Sequence, residues 1–163
     1  MKKFNIQEVK DYIQNSSETT KIYVGADSFC RKKNENGQIV WYADYTVAVV
    51  VHRDGNKGAK VFGSFETERI YDQKKNKPSL RLMTEVHKAT EMLLNIADAI
   101  GDRHFELHLD ISPDEINGSN AVMQQAIGYV KGMVNIVPMI KPNAPAASYC
   151  ADRLEMIKGV NIV

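Results

Sequence analysis

The feature that most constrains the fold of this chain is a change in hydrophobic period near its middle. In the first half, apolar and polar residues alternate along extended segments, which are separated by the tight-turn pairs Asn36-Gly37 and Asp54-Gly55. In the second half, apolar residues recur at helical spacing between Ser79 and Ile100 and again after Ser119. Strands that follow one another through hairpins pair antiparallel, whereas strands joined through helices pair in parallel. The pattern therefore predicts an α/β fold with a mixed sheet.

The individual elements can be placed from these periods and from the residues that end them. In chain order, the sequence predicts a short helix capped by Asn5, strands over Lys21 to Phe29, Trp41 to Val51 and Lys60 to Phe65, a helix from Ser79 to Ile100, a strand from Phe105 to Ile111, a helix from Ser119, a strand from Asn135 to Ile140 and a helix begun by Pro145. Pro138 cannot donate a hydrogen bond to a ladder, which predicts an edge position for the last strand. With right-handed crossovers, we expect a five-stranded sheet in the order 3-2-1-4-5, with strand 2 antiparallel and helices on both faces.

Length and composition limit the class of protein. With 163 residues, of which 44% are hydrophobic, the chain can bury one substantial core, so a single domain over residues 1–163 is expected. No apolar run is long enough to cross a bilayer and the N-terminal residues contain no signal-type segment, which predicts a cytoplasmic protein without membrane contact. Cys30 and Cys150 stand alone, so neither a zinc site nor a disulfide framework is indicated. A net charge of +1 excludes a strongly basic nucleic-acid binder.

Two aspartates close the two strands that this topology places side by side. Asp27 lies near the end of the strand that begins at Lys21, and Asp110 lies near the end of the strand that begins at Phe105. An aspartate in an apolar strand is hard to explain as solvated surface, since aspartate is seldom buried without a partner. In open sheets, the functional crevice lies outside the carboxyl ends of the strands where the winding changes. Both aspartates are therefore candidates for a catalytic or metal-binding site.

Each acidic residue also has a structural interpretation. Asp110 could cap the loop that follows it, as aspartate does at many turns. Glu85 lies at the edge of the buried stripe of its helix and could be an ordinary solvated residue. Two further aspartates compete for the same site, because Asp44 on the second strand could face Asp27 across the ladder and Asp114 comes shortly after Asp110. The residues alone leave these alternatives open.

Two other residues lie near these acids in the predicted fold. His108 shares a strand face with Asp110 and could orient water, although a hydrogen-bonded core histidine is the simpler interpretation. Lys141 leaves the last strand and could meet a phosphate, although solvation in a loop is the default for a lysine. Both residues therefore stay secondary to the carboxylates.

Several short motifs occur in an order typical of a known family. They are Ile22-Tyr23-Val24-Gly25-Ala26-Asp27-Ser28, Leu80-Arg81-Leu82-Met83-Thr84-Glu85-Val86, His108-Leu109-Asp110-Ile111, Ile140-Lys141-Pro142, Ala147-Ser148 and Ala151-Asp152-Arg153. With these motifs the chain resembles the YkuK-type branch of the ribonuclease H-like superfamily over nearly its whole length. The resemblance implies a ribonuclease H-like fold and a carboxylate site made of Asp27, Glu85, Asp110 and Asp152. Without the resemblance, Asp152 could be a helix-surface acid beside Arg153.

The resemblance further implies a metal-dependent nuclease. Two Mg²⁺ or Mn²⁺ ions about 3.5–4 Å apart can clamp the attacking and leaving oxygens of a phosphodiester, and such hard cations take oxygen ligands. By the resemblance, Asp27 would bridge both ions and Asp152 would help to hold the ion that activates water. Asp110 and Glu85 would hold the ion on the leaving-group side. Acids packed this closely repel one another, so we expect the metal-free site to be partly protonated.

The expected partner of such a site is nucleic acid, in the form of an RNA/DNA hybrid, a structured RNA or branched DNA. The sequence does not choose among these substrates, nor between a monomer and a homodimer with two active sites. The alternative function is a catalytically inactive ribonuclease H-like module that binds nucleic acid or protein, since a fold does not determine a function. An actin-like or sugar-kinase ATPase is disfavoured, because the chain lacks the length and the second glycine-rich phosphate loop of those proteins.

Overall fold

The structure, a computed structural model, describes residues 4–55, 57–71, 78–111 and 119–151. The helices in these ranges are α1 (Ile6–Gln14), α2 (Pro78–Ile100) and α3 (Ser119–Val134), and the strands are β1 (Lys21–Glu35), β2 (Gln38–His52), β3 (Ala59–Ile70) and β4 (His104–His108). A 3₁₀ turn at Arg53–Gly55 lies between β2 and β3, and a π-helical turn occupies Ala146–Ala151. This order agrees with the α/β arrangement predicted from the sequence.

Local signals determine where the first two helices begin or end. The side chain of Asn5 accepts hydrogen bonds from the backbone N–H groups of Gln7 and Glu8, at 3.0 and 3.4 Å, and so caps α1 as predicted. Gly101 follows α2 with a φ of 57°, a conformation that glycine adopts without strain. Among the described helices, none combines the length and the apolar character that crossing a membrane requires.

β1 and β2 form a long antiparallel hairpin. Their pairing runs from Lys21 opposite His52 to Glu35 opposite Gln38. Asn36 and Gly37 make the turn with φ angles of 52° and 82°, as the central residues of a type I′ turn require. The ladder continues beyond Phe29, where the predicted first strand ended, because a tight turn aligns the flanking residues for pairing whether or not they are apolar.

The sheet has the order β3-β2-β1-β4, with β4 parallel to β1 and the other pairs antiparallel. The prediction of a fifth strand is therefore wrong, because the segment from Asn135 to Ile140 forms only an isolated bridge between Met139 and His108. Met139 exchanges backbone hydrogen bonds of 2.8 Å with the chain on either side of His108. The segment is short, and Pro138 beside the bridge offers no N–H donor, so a continuous ladder does not form.

The two faces of the sheet are covered by different segments. Val24 and Ala26 of β1 belong to a hydrophobic core shared with α2, and α1 and α3 pack against α2. Gly25 lies between them and faces the opposite side, where the π-helical turn Ala146–Ala151 packs against β1 and β2. A Cβ atom on Gly25 would lie 2.5 Å from the backbone nitrogen of Ala147, so only glycine permits this close approach. Helical segments thus lie on both faces of the sheet.

Candidate active site

β1 and β4 place two aspartates at the same edge and on the same face of the sheet. The two strands pair in parallel with Gly25 opposite His108, and Asp27 and Asp110 each follow two residues later. Because side chains alternate between the faces of a sheet, both aspartates belong to the face of Gly25 and His108. Two aspartates on opposite faces of the sheet could not bind the same ligand. The register of β1 and β4 places both on one face.

Glu85 comes to the same edge of the sheet from α2, which packs on the face of Val24 and Ala26. The residue is only 8% exposed, and the hydroxyl of Ser28 on β1 donates a hydrogen bond to its Oε1. Burial raises the pKa of Glu85 to about 8, with a further contribution from the negative charges of Asp27 and Asp110. The hydrogen bond from Ser28 and the positive charge of Arg81 both lower the pKa of Glu85, but they do not cancel the increase. Glu85 is therefore buried, close enough to both aspartates to respond to their charge, and protonated at neutral pH.

Lys141 is the cationic partner of Asp110. Its Nζ lies 3.0 Å from Oδ1 of Asp110, and the two side chains are 40% and 24% exposed. The backbone N–H of Lys141 also donates to the carbonyl oxygen of Ile111 at 3.0 Å, which holds the segment beside the chain that carries Asp110. Lys141 thus brings a positive charge to the carboxylates and is more than a solvated loop residue.

The donor atoms suit a hard divalent cation. Asp27, Glu85 and Asp110 offer carboxylate oxygens, and a bound cation would relieve the repulsion that helps to raise the pKa of Glu85. Within residues 4–55, 57–71, 78–111 and 119–151, however, no three His, Cys, Asp or Glu side chains lie close enough together to hold a metal ion. The fourth predicted ligand, Asp152, and the competing Asp114 lie outside the described residues. The three described acids are therefore part of the predicted set and not a complete metal site.

Asp44, the other competitor, is engaged in the sheet. It is 5% exposed and accepts hydrogen bonds from Nε of Arg31 at 2.7 Å and from Oγ1 of Thr67 at 2.6 Å. Arg31 lies on β1 and Thr67 on β3, so the carboxylate links three adjacent strands. Each oxygen of this buried carboxylate thus has a donor, one of them charged and the other neutral, which compensates for the loss of hydration. This arrangement favours a structural role for Asp44.

His108 is a core histidine that fixes the π-helical turn. It is buried, its ring stacks on Tyr23 with 5.0 Å between centroids, and its Nδ1 accepts a hydrogen bond from the backbone N–H of Ala146 at 3.1 Å. Burial lowers the pKa of His108, which keeps the imidazole neutral and leaves Nδ1 free of a proton, as an acceptor must be. The interpretation as a hydrogen-bonded core histidine is confirmed.

Sequence reasoning did not single out two residues that support this site. Ser28 binds Glu85 through its hydroxyl, and a serine next to a strand aspartate carries no distinctive signal. Gly25 admits the π-helical turn, after which Asp152 follows directly in the sequence. A glycine inside a strand of β-forming residues does signal close approach of another backbone, so Gly25 could have been identified from the sequence.

Comparison with known proteins gives one match. A family model described as "Ribonuclease H-like" matches residues 5–155, a range that contains Asp27, Glu85, Asp110 and Asp152. No curated protein and no solved structure matches the chain significantly. The matched range covers every helix and strand described above.

Proposed function

Because the chain belongs to the ribonuclease H-like family, we propose that it is a divalent-metal-dependent nuclease that hydrolyses phosphodiester bonds in nucleic acid. The observation that supports the proposal is that Asp27 and Asp110 lie at the same edge of the sheet, where their charges help to raise the pKa of the buried Glu85. Mutual repulsion among acids costs stability, so its presence at one edge of a sheet is typical of functional sites. The family gives this site its expected chemistry.

In this proposal the carboxylates hold the metal ions. Following the family pattern, Asp27 would help to hold both ions, Glu85 and Asp110 would hold one of them, and Asp152 would hold the other. When bound, two such ions stabilise the attacking and leaving oxygens of a phosphodiester as Lewis acids. Glu85 has to release its proton before it can act as a ligand, so metal affinity is expected to increase with pH.

The proposal predicts that substitution of either aspartate strongly slows cleavage. Wild-type protein should cut at least one of three labelled substrates, an RNA/DNA hybrid, a structured RNA or a four-way DNA junction, in Mg²⁺ or Mn²⁺ but not in chelator. Asp27→Asn and Asp110→Asn should each slow cleavage by roughly 100-fold, because they remove an anionic ligand and keep the side-chain shape. The measurement is the single-turnover rate on a gel.

Asp98→Asn is the matched control, since Asp98 lies on α2 with its side chain 69% exposed and paired with Lys10. It should cut at the wild-type rate. Equal cleavage by wild type, Asp27→Asn and Asp110→Asn would identify a contaminating nuclease, and the proposal would then fail.

The alternative is an inactive module that binds nucleic acid or protein, and one observation favours it. The described acids already have partners in the protein, Ser28 for Glu85 and Lys141 for Asp110. Such partners could replace a metal permanently in a domain that has lost its chemistry.

Thermal unfolding with Mn²⁺ distinguishes the two functions. If the site is intact, Mn²⁺ at roughly 100 times its dissociation constant should raise the free energy of unfolding of the protein by about 2.7 kcal/mol. For a domain of this size, that increase corresponds to a rise in Tm of several degrees. Asp27→Asn should lose most of that rise and Asp98→Asn should keep it. An unchanged wild-type Tm at millimolar Mn²⁺ would support the binding module.

A further inference from the structure

A cavity of about 310 Å³ opens between the β2–β3 ladder and the first turns of α2. We call it the Arg81 cavity; the lining residues used below are Tyr45, Arg69, Tyr71, Leu80, Arg81 and Thr84. Arg81 and Thr84 precede Glu85 by four residues and by one, so the cavity lies next to the part of α2 that carries Glu85. A molecule that extends from Glu85 toward the start of α2 would enter this cavity.

Arg81 gives the cavity its chemistry. Its Nε is shielded from solvent and makes no hydrogen bond within the part of the chain that the structure describes. Buried guanidinium donors normally have an acceptor, because an unmet donor loses its hydration without compensation. The side chain also carries a positive charge that acts on Glu85. Because the shielded Nε is out of reach of a ligand in the cavity, such a ligand would meet the charge of the guanidinium at the cavity wall, and an anionic oxygen would match that charge.

Two aromatic rings and a second cation complete the lining. Tyr71 is 85% exposed, an unusual state for a large aromatic side chain, and the guanidinium of Arg69 lies 5.0 Å from its ring centroid. Leu80 is 54% exposed on the opposite wall, whereas Tyr45 is buried beneath the cavity. An exposed ring beside an arginine is the kind of surface on which an unpaired base stacks.

Other ligand classes fit less well. An apolar molecule would cover the charges of Arg69 and Arg81 without a counter-charge. A second metal ion would face two arginines, and the one acid of the lining, Glu68, already binds Lys88 at 2.9 Å. A ligand with a flat apolar part and an anionic part satisfies the stacking surface and the guanidinium together, and a nucleotide has both parts.

We propose that the Arg81 cavity binds one nucleotide of an unpaired stretch of the substrate, with its phosphate on Arg81 and its base on Tyr71. The identification of the ligand as nucleic acid rests on the proposed function. The substrate would then be a strand with at least one unpaired nucleotide next to the cleavage point, and fully paired duplex would bind less well.

Binding without catalysis tests this proposal. Fluorescence anisotropy would measure the affinity of labelled oligo-dT and oligo-rU, about twelve nucleotides long, in chelator and low salt. Arg81→Gln should weaken binding about tenfold and reduce its salt dependence by roughly one counterion, and Tyr71→Ala should weaken it about tenfold through lost stacking. Tyr71→Phe keeps the ring and should bind as wild type.

Arg53→Gln is the control for Arg81→Gln, because Arg53 is exposed at the turn between β2 and β3. It should bind as wild type. Equal weakening by Arg53→Gln, wild-type affinity in both Arg81→Gln and Tyr71→Ala, or no binding by wild-type protein would each overturn the proposal. Tyr71→Ala removes only an exposed ring and should therefore fold. If Arg81→Gln does not fold, Tyr71→Ala still tests the proposal.

The same measurements separate this proposal from the nuclease proposal. If wild type cuts no substrate but binds oligonucleotides in an Arg81-dependent way, the proposal for the cavity is correct and the nuclease proposal is wrong. If wild type cuts nucleic acid while Arg81→Gln and Tyr71→Ala bind and cut normally, the nuclease proposal is correct and the Arg81 cavity does not bind a nucleotide of the substrate.

Discussion

Replacing Gly25 by alanine is expected to lower the free energy of unfolding by about 3 kcal/mol or more. The added Cβ would lie 2.5 Å from the nitrogen and 2.9 Å from the Cα of Ala147, and 2.6 Å from the carbonyl carbon of Ala146. All three are backbone atoms, which cannot rotate away as a flexible side chain could. Insertion of one methyl group into a packed interior costs about 1–3 kcal/mol and occasionally more, and contacts with backbone at these distances belong at the upper end.

Urea unfolding followed by circular dichroism would measure this loss, with Gly128→Ala as the matched control. Gly128 lies within α3, and outside the backbone of its own helix no atom of the described residues comes within 4 Å of the Cβ that alanine would add there. Alanine is the better helix former by about 1 kcal/mol, so Gly128→Ala should be slightly stabilising. A Gly25→Ala protein as stable as wild type would mean that the π-helical turn does not pack against β1 in solution.

The effect of Gly25→Ala should extend to the site. The turn that it displaces is the one that His108 holds through the backbone N–H of Ala146, and Asp152 follows the turn in the sequence. If Asp152 is the fourth metal ligand, cleavage by any protein that remains folded should fall together with stability. The glycine would then be required for the position of a ligand that is distant from it in sequence.

Much of the fold follows from short-range signals in the sequence. The cap at Asn5, the turn at Asn36-Gly37 and the end of α2 before Gly101 were each predicted and are each present. These features depend on residues that are neighbours in the chain, so a single sequence contains the information. The incorrect fifth strand depended on pairing between the Met139 segment and β4, which alternation of apolar residues cannot reveal.

The placement of two of the predicted site residues was easier to predict than the energetics of the acids. The shared face of Asp27 and Asp110 follows from the strand order and from the alternation of side chains, both of which the sequence indicated. Partial protonation was expected from repulsion among the acids, yet burial is the largest cause of the raised pKa of Glu85. The depth of burial depends on how α2 packs on the sheet, which no local pattern specifies. Asp152 stays a prediction.

The raised pKa of Glu85 makes the stability of the metal-free protein depend on pH. Below the unfolded-state pKa of 4.5, the carboxyl is protonated in both states and imposes no penalty. Between 4.5 and about 8 the folded state retains a proton that the unfolded state has released, so stability falls as pH rises, and it levels off above about 8. The loss from Glu85 over this window should be roughly 3–5 kcal/mol.

Glu85→Gln isolates this contribution, because glutamine keeps the size and cannot titrate. In chelator, the variant should gain stability relative to wild type as pH rises from 5 to 9, whereas Glu91→Gln, at an exposed position of α2, should follow wild type throughout. The difference between the unfolding free energies of variant and wild type then reports Glu85 together with its coupling to Asp27 and Asp110. A constant difference across that range would show that Glu85 ionises normally in the folded protein.

Metal binding should reverse the sign of this dependence, which connects the stability measurement to function. A cation that binds Glu85 must displace its proton, so Mn²⁺ should stabilise wild-type protein more at pH 8.5 than at pH 6.5. In weakly buffered solution at pH 7, saturation with Mn²⁺ should release about one proton from wild type, and distinctly less from Glu85→Gln. Release of the same number of protons from both proteins would mean that Glu85 is not a ligand, even if the site binds metal.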